Sequence, residues 1–407
     1  MTGPPPSPSS PLLPEPAIMP TYGRYPLRLV AGEGVDVFDA RGRRYLDFAG
    51  GLGASPLGHK HPAWREAVHA QVDRLAMVSN LYQTEPQVRL AERLAIITDL
   101  PGAQVFFSNS GAEANEAALK LVRKWGNARG RPRVVALEGS FHGRTVATLA
   151  ATGQPSKRAA FEPLVDWFVH VPPDDVSSLE TAVGDDTAAV MLEPVLGEGG
   201  VRPLSDGFLR AARELTSARG ALLVADEVQS GLGRCGSWLA IWHADVMPDV
   251  VTFAKGLGGG LPIGATVASS EIAFAPGDHA STFGGGPIPC AAGLAVLATI
   301  ERDRLCENAT HQGDRLRDKL GAFVERGLVE EVRGRGLLVG IDFGRPRAHE
   351  VALALIDEGL LVTEAGENVL RMSPPLIVNE TQVDEALGAL AAVLERLVEP
   401  AGSGTST

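Results

Sequence analysis

Beyond about residue 100 the chain is punctuated by short apolar runs: Val105-Phe106-Phe107, Val134 to Leu137, Ala188 to Leu192, Ala221 to Ala225, Val250 to Ala254 and Thr266 to Ala268. Such runs suit strands buried on both faces of a largely parallel sheet. Between two of them, residues 206–220 predict a helix, with Asp206 as N-cap, Phe208, Leu209 and Leu215 as its apolar stripe and Gly220 as its stop. Strand, helix and strand there make one βαβ unit. Upstream, Val35–Asp39 and Tyr45–Phe48 flank a turn at Ala40 to Arg43 and predict a small β-hairpin. From about residue 300 the pattern changes to charged amphipathic helices around Arg333–Phe343 and Leu360–Met372, which predicts an α+β domain of its own. The fold class is α/β, with no internal repeat.

Composition narrows this picture. A chain of 407 residues with 44% hydrophobic content has room for two or three cores. A net charge of −12 and the lack of basic runs argue against nucleic acid or anionic membranes as partners, since both need a positive patch. No apolar run approaches the ~20 residues of a membrane span; the longest clean one is Cys290 to Ile300. Residues 1–20, rich in Pro and Ser, read as a disordered leader without the charged start and apolar core of a signal peptide. Residues 399–407 read as a disordered tail. Cys235, Cys290 and Cys306 are odd in number and lack CxxC spacing, which points to a reducing cytoplasm rather than a disulfide framework or zinc site. His59-Lys60-His61 lacks a further ligand at a suitable spacing, so no metal is expected.

In open α/β sheets ligands sit beyond the carboxyl ends of the strands, so the residues just after each run carry the information. They are Ser110-Gly111-Ala112, Phe141-His142-Gly143-Arg144, Glu193 with Glu198, Asp226 to Gln229, and Lys255. Lys255 stands at the mouth of an apolar strand before Gly256-Leu-Gly-Gly-Gly, where desolvation would favour a neutral, nucleophilic amine; a lysine snorkelling to the surface is the plainer alternative. Asp226 would lie in the same crevice, as the partner of a cofactor's ring nitrogen or simply as a helix cap or ion-pair partner. Ser110 and Glu113 match a capping box at the start of the helical stretch Ala114–Lys124, and such a helix N-terminus offers free N–H groups to a phosphate. Phe141 would stack on a cofactor ring or fill the core, and Arg144 would bind a carboxylate or lie on the surface. Signatures of serine and zinc hydrolases (GxSxG, HExxH, paired CxxC) are missing.

Several longer motifs carry a resemblance: Thr21-Tyr-Gly-Arg-Tyr-Pro, Asp47-Phe-Ala-Gly-Gly, Gly58-His-Lys-His-Pro, Asn109-Ser-Gly-Ala-Glu-Ala-Asn-Glu, Ser140-Phe-His-Gly-Arg-Thr, Glu193-Pro-Val-Leu-Gly-Glu-Gly-Gly, Asp226-Glu-Val-Gln-Ser-Gly-Leu-Gly-Arg and Phe253-Ala-Lys-Gly-Leu-Gly-Gly-Gly. From Thr21 to Val398 the chain resembles the class III, or omega-amino-acid, aminotransferases of the type I pyridoxal-phosphate fold. That resemblance implies a large cofactor-binding domain over 61–298 and a smaller α+β domain built from 21–60 and 299–398. It implies pyridoxal 5′-phosphate held by Lys255 as a Schiff base, with Asp226 on the pyridine nitrogen and Gln229 on the ring hydroxyl. Val228 and Phe141 would sandwich the ring. Ser110, Gly111 and Ala112 would bind the phosphate, joined by Thr282 of the other subunit of a homodimer. Arg144 and Arg371 would receive substrate carboxylates, with Glu198 beside Arg371.

The implied reaction moves the terminal amine of N2-acetylornithine to 2-oxoglutarate, giving N-acetylglutamate 5-semialdehyde and glutamate, a step of arginine biosynthesis. Ornithine, 4-aminobutyrate or carrier-bound lysine are rival donors, and a cofactor-bound aminomutase is a rival reaction. A binding or scaffold protein on a degenerate enzyme fold is the non-enzymatic alternative, against which intact Lys255, Asp226 and Arg144 count. Two positions depart from the family's pattern. Gly286 replaces the usual Asn in Thr282-Phe-Gly-Gly-Gly-Pro, and Cys235 replaces the usual Thr in Gly233-Arg-Cys-Gly.

Overall fold

The computed structural model describes residues 17–397, so most of the leader and the whole of the tail lie outside the described residues. A seven-stranded sheet forms its centre, in the order Gln104–Ser108, Gly264–Ala268, Val250–Phe253, Leu222–Asp226, Thr187–Leu192, Arg133–Leu137, Phe168–Val171. Gly264–Ala268 runs antiparallel to both neighbours, and the other pairs are parallel. All six apolar runs are strands of this sheet. The seventh strand, Phe168–Val171, was not anticipated: it is a partly buried edge strand of four residues, with a polar His170 inside it and no long apolar run to mark it.

Alternation along the strands divides the interior into two cores. Val134, Met191, Leu222, Val224 and Val250 face the helix Gly111–Asn127 through Ala118, Leu119, Leu121 and Val122. Val135, Leu192, Leu223, Ala225, Val251 and Phe253 point the other way, into a core that includes Phe208, Leu209 and Ala212 of the helix Asp206–Arg219. Thr187–Leu192 is buried at all six positions because both of its faces are covered. The 206–220 helix forms with one correction. Its cap is Ser205, whose hydroxyl accepts from Phe208 N at 3.2 Å, and Asp206 is its first helical residue. Gly220 ends it in the left-handed conformation (φ +60°).

The N-terminal hairpin pairs Asp36–Asp39 with Arg44–Asp47. Leu360–Leu361 then adds to Arg44–Asp47 in parallel, joining the two ends of the chain in one sheet. A further sheet runs Glu331–Arg335, Leu338–Asp342, Val369–Met372, Thr363–Glu364. Most of Arg333–Phe343 and Leu360–Met372 is thus strand, and the amphipathic helices Leu305–Glu325, Ala348–Asp357 and Glu380–Leu397 lie beside these segments. No helix among the described residues is long and apolar enough to cross a membrane.

Candidate functional site

The parallel strands Leu222–Asp226 and Val250–Phe253 lie side by side, with Asp226 opposite Thr252. Asp226 ends the first, and Lys255 follows the second by two residues. Lys255 holds φ +38°, a left-handed conformation that costs a non-glycine residue about 1 kcal/mol or more and that clusters at functional sites. Both side chains face a pocket of about 240 Å³ that also brings together Gly111, Ala112, Asn115, Phe141, His142, Gly143, Arg144, Glu193, Val228 and Gln229. Desolvation pulls the Lys255 pKa below the ordinary lysine value. The Arg371 charge adds to this fall, while Glu198, Glu193 and Asp226 oppose it.

Asp226 is 3% exposed and held by three donors. Asn115 Nδ2 donates to Oδ2 at 2.7 Å, Val228 N to Oδ1 at 3.0 Å, and His142 Nδ1 lies 2.7 Å from Oδ2. Asn115 is itself fixed, donating to His142 O and accepting from Thr252 Oγ1, each at 2.7 Å. Burial disfavours a charged His142, but the hydrogen bond and charge of Asp226, with the charge of Glu193, outweigh it and raise its pKa. Glu193, buried behind Phe141, has its pKa raised, first by burial and then by the Asp226 charge; it accepts from Phe141 N at 2.8 Å and Gly197 N at 3.2 Å. Sequence reasoning gave Asn115, His142 and Thr252 no role. A usable signal was that Asn115 stands four residues after Gly111, one turn further along the same helix face.

At the other end of the pocket the helix Gly111–Asn127 begins. Ser110 Oγ caps it, accepting from Glu113 N at 3.2 Å, and Glu113 returns to Asn109 N at 2.7 Å. Its first N–H groups have no carbonyl one turn back, so they are available to an anion. The backbone comes close here: a Cβ on Gly111 would meet Val228 Cγ1 at 2.8 Å. Ser110 is not among the residues that line the pocket; its side chain caps the helix whose first residues do.

Gln229 links the pocket to Arg371, whose Nη1 donates to Gln229 Oε1 at 3.1 Å and meets Glu198 Oε1 at 2.5 Å. Arg371 is 1% exposed, and its Nε also donates to Thr363 Oγ1 at 3.1 Å. Burial opposes ionisation of Glu198, yet the Arg371 charge and hydrogen bond outweigh it and lower the Glu198 pKa. Arg144 is exposed, its Cζ 5.6 Å from the centre of the Phe141 ring.

Thr282 is not part of this pocket. It is exposed in a separate, larger cavity of about 1550 Å³. Gly286 is the N-cap of the helix Pro287–Arg302 and offers no side-chain cap, which is the local cost of the missing Asn. Cys235 is buried away from the chemistry, and burial pushes its thiol up to about 12. His59 is engaged by Asp47 Oδ2 at 2.9 Å.

The arrangement suits a flat aromatic ring carrying an anionic group at one end and a protonated nitrogen at the other, with an amine beside it. Comparison with known proteins agrees. The family model "Aminotransferase class-III" matches residues 18–394. An acetylornithine aminotransferase of Mycolicibacterium smegmatis is 51% identical over 391 residues, 95% of this chain and 98% of its own. One from Streptomyces coelicolor is 49% identical, covering 96% of each chain. Among solved structures, the N-acetylornithine aminotransferase of Stenotrophomonas maltophilia is 37% identical with a TM-score of 0.80, over 91% of this chain and 96% of its own. An ornithine aminotransferase of Toxoplasma gondii, described with partial occupancy of PLP at its active site, is 30% identical with a TM-score of 0.88, over 93% and 92%. The match runs along nearly the whole chain that sets Lys255 and Asp226 at the mouths of neighbouring strands, and the protein belongs to the class III aminotransferases.

Proposed function

We propose that this aminotransferase binds pyridoxal 5′-phosphate in the Lys255 pocket and transfers the terminal amine of N2-acetylornithine to 2-oxoglutarate, yielding N-acetylglutamate 5-semialdehyde and glutamate. The observation that carries the reading is the meeting of Lys255 and Asp226 in one pocket, closed at its other end by the start of the helix Gly111–Asn127. The residues fit the cofactor. Asp226, tied by three donors, offers a fixed anion for the pyridine nitrogen, and the backbone N–H groups of Gly111 and Ala112, set by the Ser110 cap, suit the phosphate. Phe141, Val228 and Gln229 line the pocket, where the first two would sandwich the ring and Gln229 would take its hydroxyl.

When bound, this cofactor supplies an aldehyde carbon for imine exchange and a ring that takes up electron density. Lys255 Nζ, its basicity lowered by burial, would hold the group as a nucleophile and would serve as the base that takes a proton from the donor's terminal carbon. Arg144 and Arg371 receive carboxylates. Because the donor presents one carboxylate far from the reacting amine, whereas 2-oxoglutarate presents one near and one far, Glu198 neutralises Arg371 for the donor and releases it for the acceptor.

The working unit in this reading is a homodimer whose second subunit brings Thr282 to the phosphate. The exposure of Leu81 (88%), which lines the cavity that contains Thr282, and of the adjoining Tyr82 (69%) and Phe283 (64%) supports such a covered face. The large domain is 61–298 and the smaller one 21–60 with 299–398, a division supported by the pairing of Leu360–Leu361 with Arg44–Asp47. Three thiols without partners support a cytoplasmic setting. The test is to mix cofactor-loaded enzyme with N2-acetylornithine, ornithine or 4-aminobutyrate and no acceptor. N2-acetylornithine should bleach the visible band fastest and 2-oxoglutarate should restore it; bleaching led by another donor, or net reaction without 2-oxoglutarate, would overturn the assignment.

A further inference from the structure

Lys157 is a charge with no assigned work. It sits on the one-turn helix Pro155–Arg158, which is strapped to the segment carrying Phe141: Gly139 N donates to Gly153 O at 2.8 Å, Gly153 N to Ser140 O at 3.1 Å, and Gln154 Nε2 to Gly139 O at 3.1 Å. Its Nζ lies 5.9 Å from the centre of the Phe141 ring, and Arg144 Cζ lies 5.6 Å from the same ring. Among the described residues neither cation has a carboxylate within ion-pair distance. The adjacent Arg158 turns elsewhere, its Nη1 3.3 Å from His170 Nδ1. Phe141 lines the pocket wall, so two uncompensated positive charges stand beside the pocket near Phe141, whereas Arg371 is already matched by Glu198.

We propose that Lys157, together with Arg144, is a specificity-determining cation that selects donors whose far end is net negative, an N2-acylated amino acid over the free diamino acid. This rests on the donor reading given above. The far end of N2-acetylornithine carries a carboxylate beside a neutral amide; that of ornithine carries the same carboxylate beside an ammonium. Two unpaired cations attract the first and gain nothing net from the second, so discrimination arises by repulsion of the α-ammonium as much as by attraction of the carboxylate. Lys157's charge is also felt at Glu198, where it helps keep that carboxylate ionised on Arg371.

The experiment uses cofactor-loaded enzyme and single-turnover bleaching with N2-acetylornithine and with ornithine, for wild type, Lys157→Met, Lys157→Gln and Lys157→Arg, with the visible spectrum and Tm of each recorded. The preference for N2-acetylornithine should fall about fivefold in both neutral variants, about 1 kcal/mol at ~1.4 kcal/mol per decade, through weaker donor binding rather than a slower step. Lys157→Arg should retain it, and raised salt should lower the wild-type preference in the same sense. An unchanged ratio in the neutral variants, an equal loss for both donors, or an arginine variant as poor as the methionine one would overturn the inference while N2-acetylornithine turnover stands. A wild-type enzyme that turns over neither donor would overturn the donor reading as well.

Discussion

His142 Nδ1 lies 2.7 Å from Asp226 Oδ2, with His142 2% and Asp226 3% exposed. The pair makes stability depend on pH with a definite sign. The His142 pKa is raised in the folded chain, with burial opposing and the Asp226 bond and charge prevailing. A raised folded pKa means that the pair's contribution is complete below the unfolded histidine value of about 6.5 and is lost as pH climbs through the folded value. In cofactor-free protein, His142→Phe should cost about 1–3 kcal/mol at pH 6, and the deficit should shrink at higher pH. Urea unfolding of both forms across pH 6 to 9 measures it; a deficit constant over that range would mean that His142 contributes by packing alone.

Lys255 leads to a prediction with an acid-side signature. Imine formation needs the neutral amine, and burial lowers this lysine's pKa. Trapping the aldehyde of pyridoxal 5′-phosphate with borohydride should therefore label Lys255 at pH values where surface lysines, with pKa about 10.4, remain protonated. Peptide mapping after labelling at pH 7 should return Lys255 as the dominant site. Lys255→Ala should lose that label and lower kcat by a factor on the order of 10⁴. A labelling profile identical to that of exposed lysines would contradict the desolvated setting.

Lys255 and Asp226 were legible because each follows an apolar run, and a run that must be a buried strand puts its next residue at the sheet's carboxyl edge. Arg371 was not legible in that way. It lies inside Val-Leu-Arg-Met, in a stretch whose pattern reads as an amphipathic helix but which forms a buried strand, and only the family resemblance marked it. Its pairing with Glu198 spans 173 residues and depends on how a strand of one sheet meets a loop after another. Asn115, His142 and Thr252 were hidden for a similar reason: each acts through a hydrogen bond fixed by tertiary stacking, and an Asn in a helix or a Thr in a strand has no local mark of that duty. The Ser205 cap shows the smaller error, since Ser-Asp offers two adjacent capping side chains and only the backbone decides which precedes the first turn.

Gly197 stands where a side chain would strike Gln229. A Cβ there would come within 2.2 Å of Gln229 Oε1, the atom that accepts from Arg371 Nη1. Because the obstacle is the end of a flexible side chain, Gly197→Ala should fold, at a cost of about 1 kcal/mol from overpacking. Its main effect should be on Arg371, which loses a partner that orients it. Steady-state kinetics should show KM for 2-oxoglutarate rising several-fold more than KM for the donor, with Tm lowered only slightly. Equal rises in both would detach Gln229 from acceptor binding.

The Arg371–Glu198 pair is the sharpest test of how one pocket serves two unlike substrates. Arg371 is 1% exposed and, among the described residues, has Glu198 as its only matching charge, at 2.5 Å, while the Glu198 side chain keeps 24% of its surface open, so Glu198 is the partner with room to swing away. If it neutralises Arg371 while the donor is bound, Glu198→Gln leaves a free guanidinium that holds the donor's carboxylate in the wrong place and still welcomes 2-oxoglutarate. Single-turnover measurements of the two halves should then diverge: the donor half slows about tenfold relative to the acceptor half, the equivalent of ~1.4 kcal/mol. The divergence is what separates a switch from a prop. A carboxylate that only supported Arg371 structurally would, on removal, slow both halves together and lower Tm, so equal slowing in Glu198→Gln would reject the switch and leave Glu198 as a structural counter-ion.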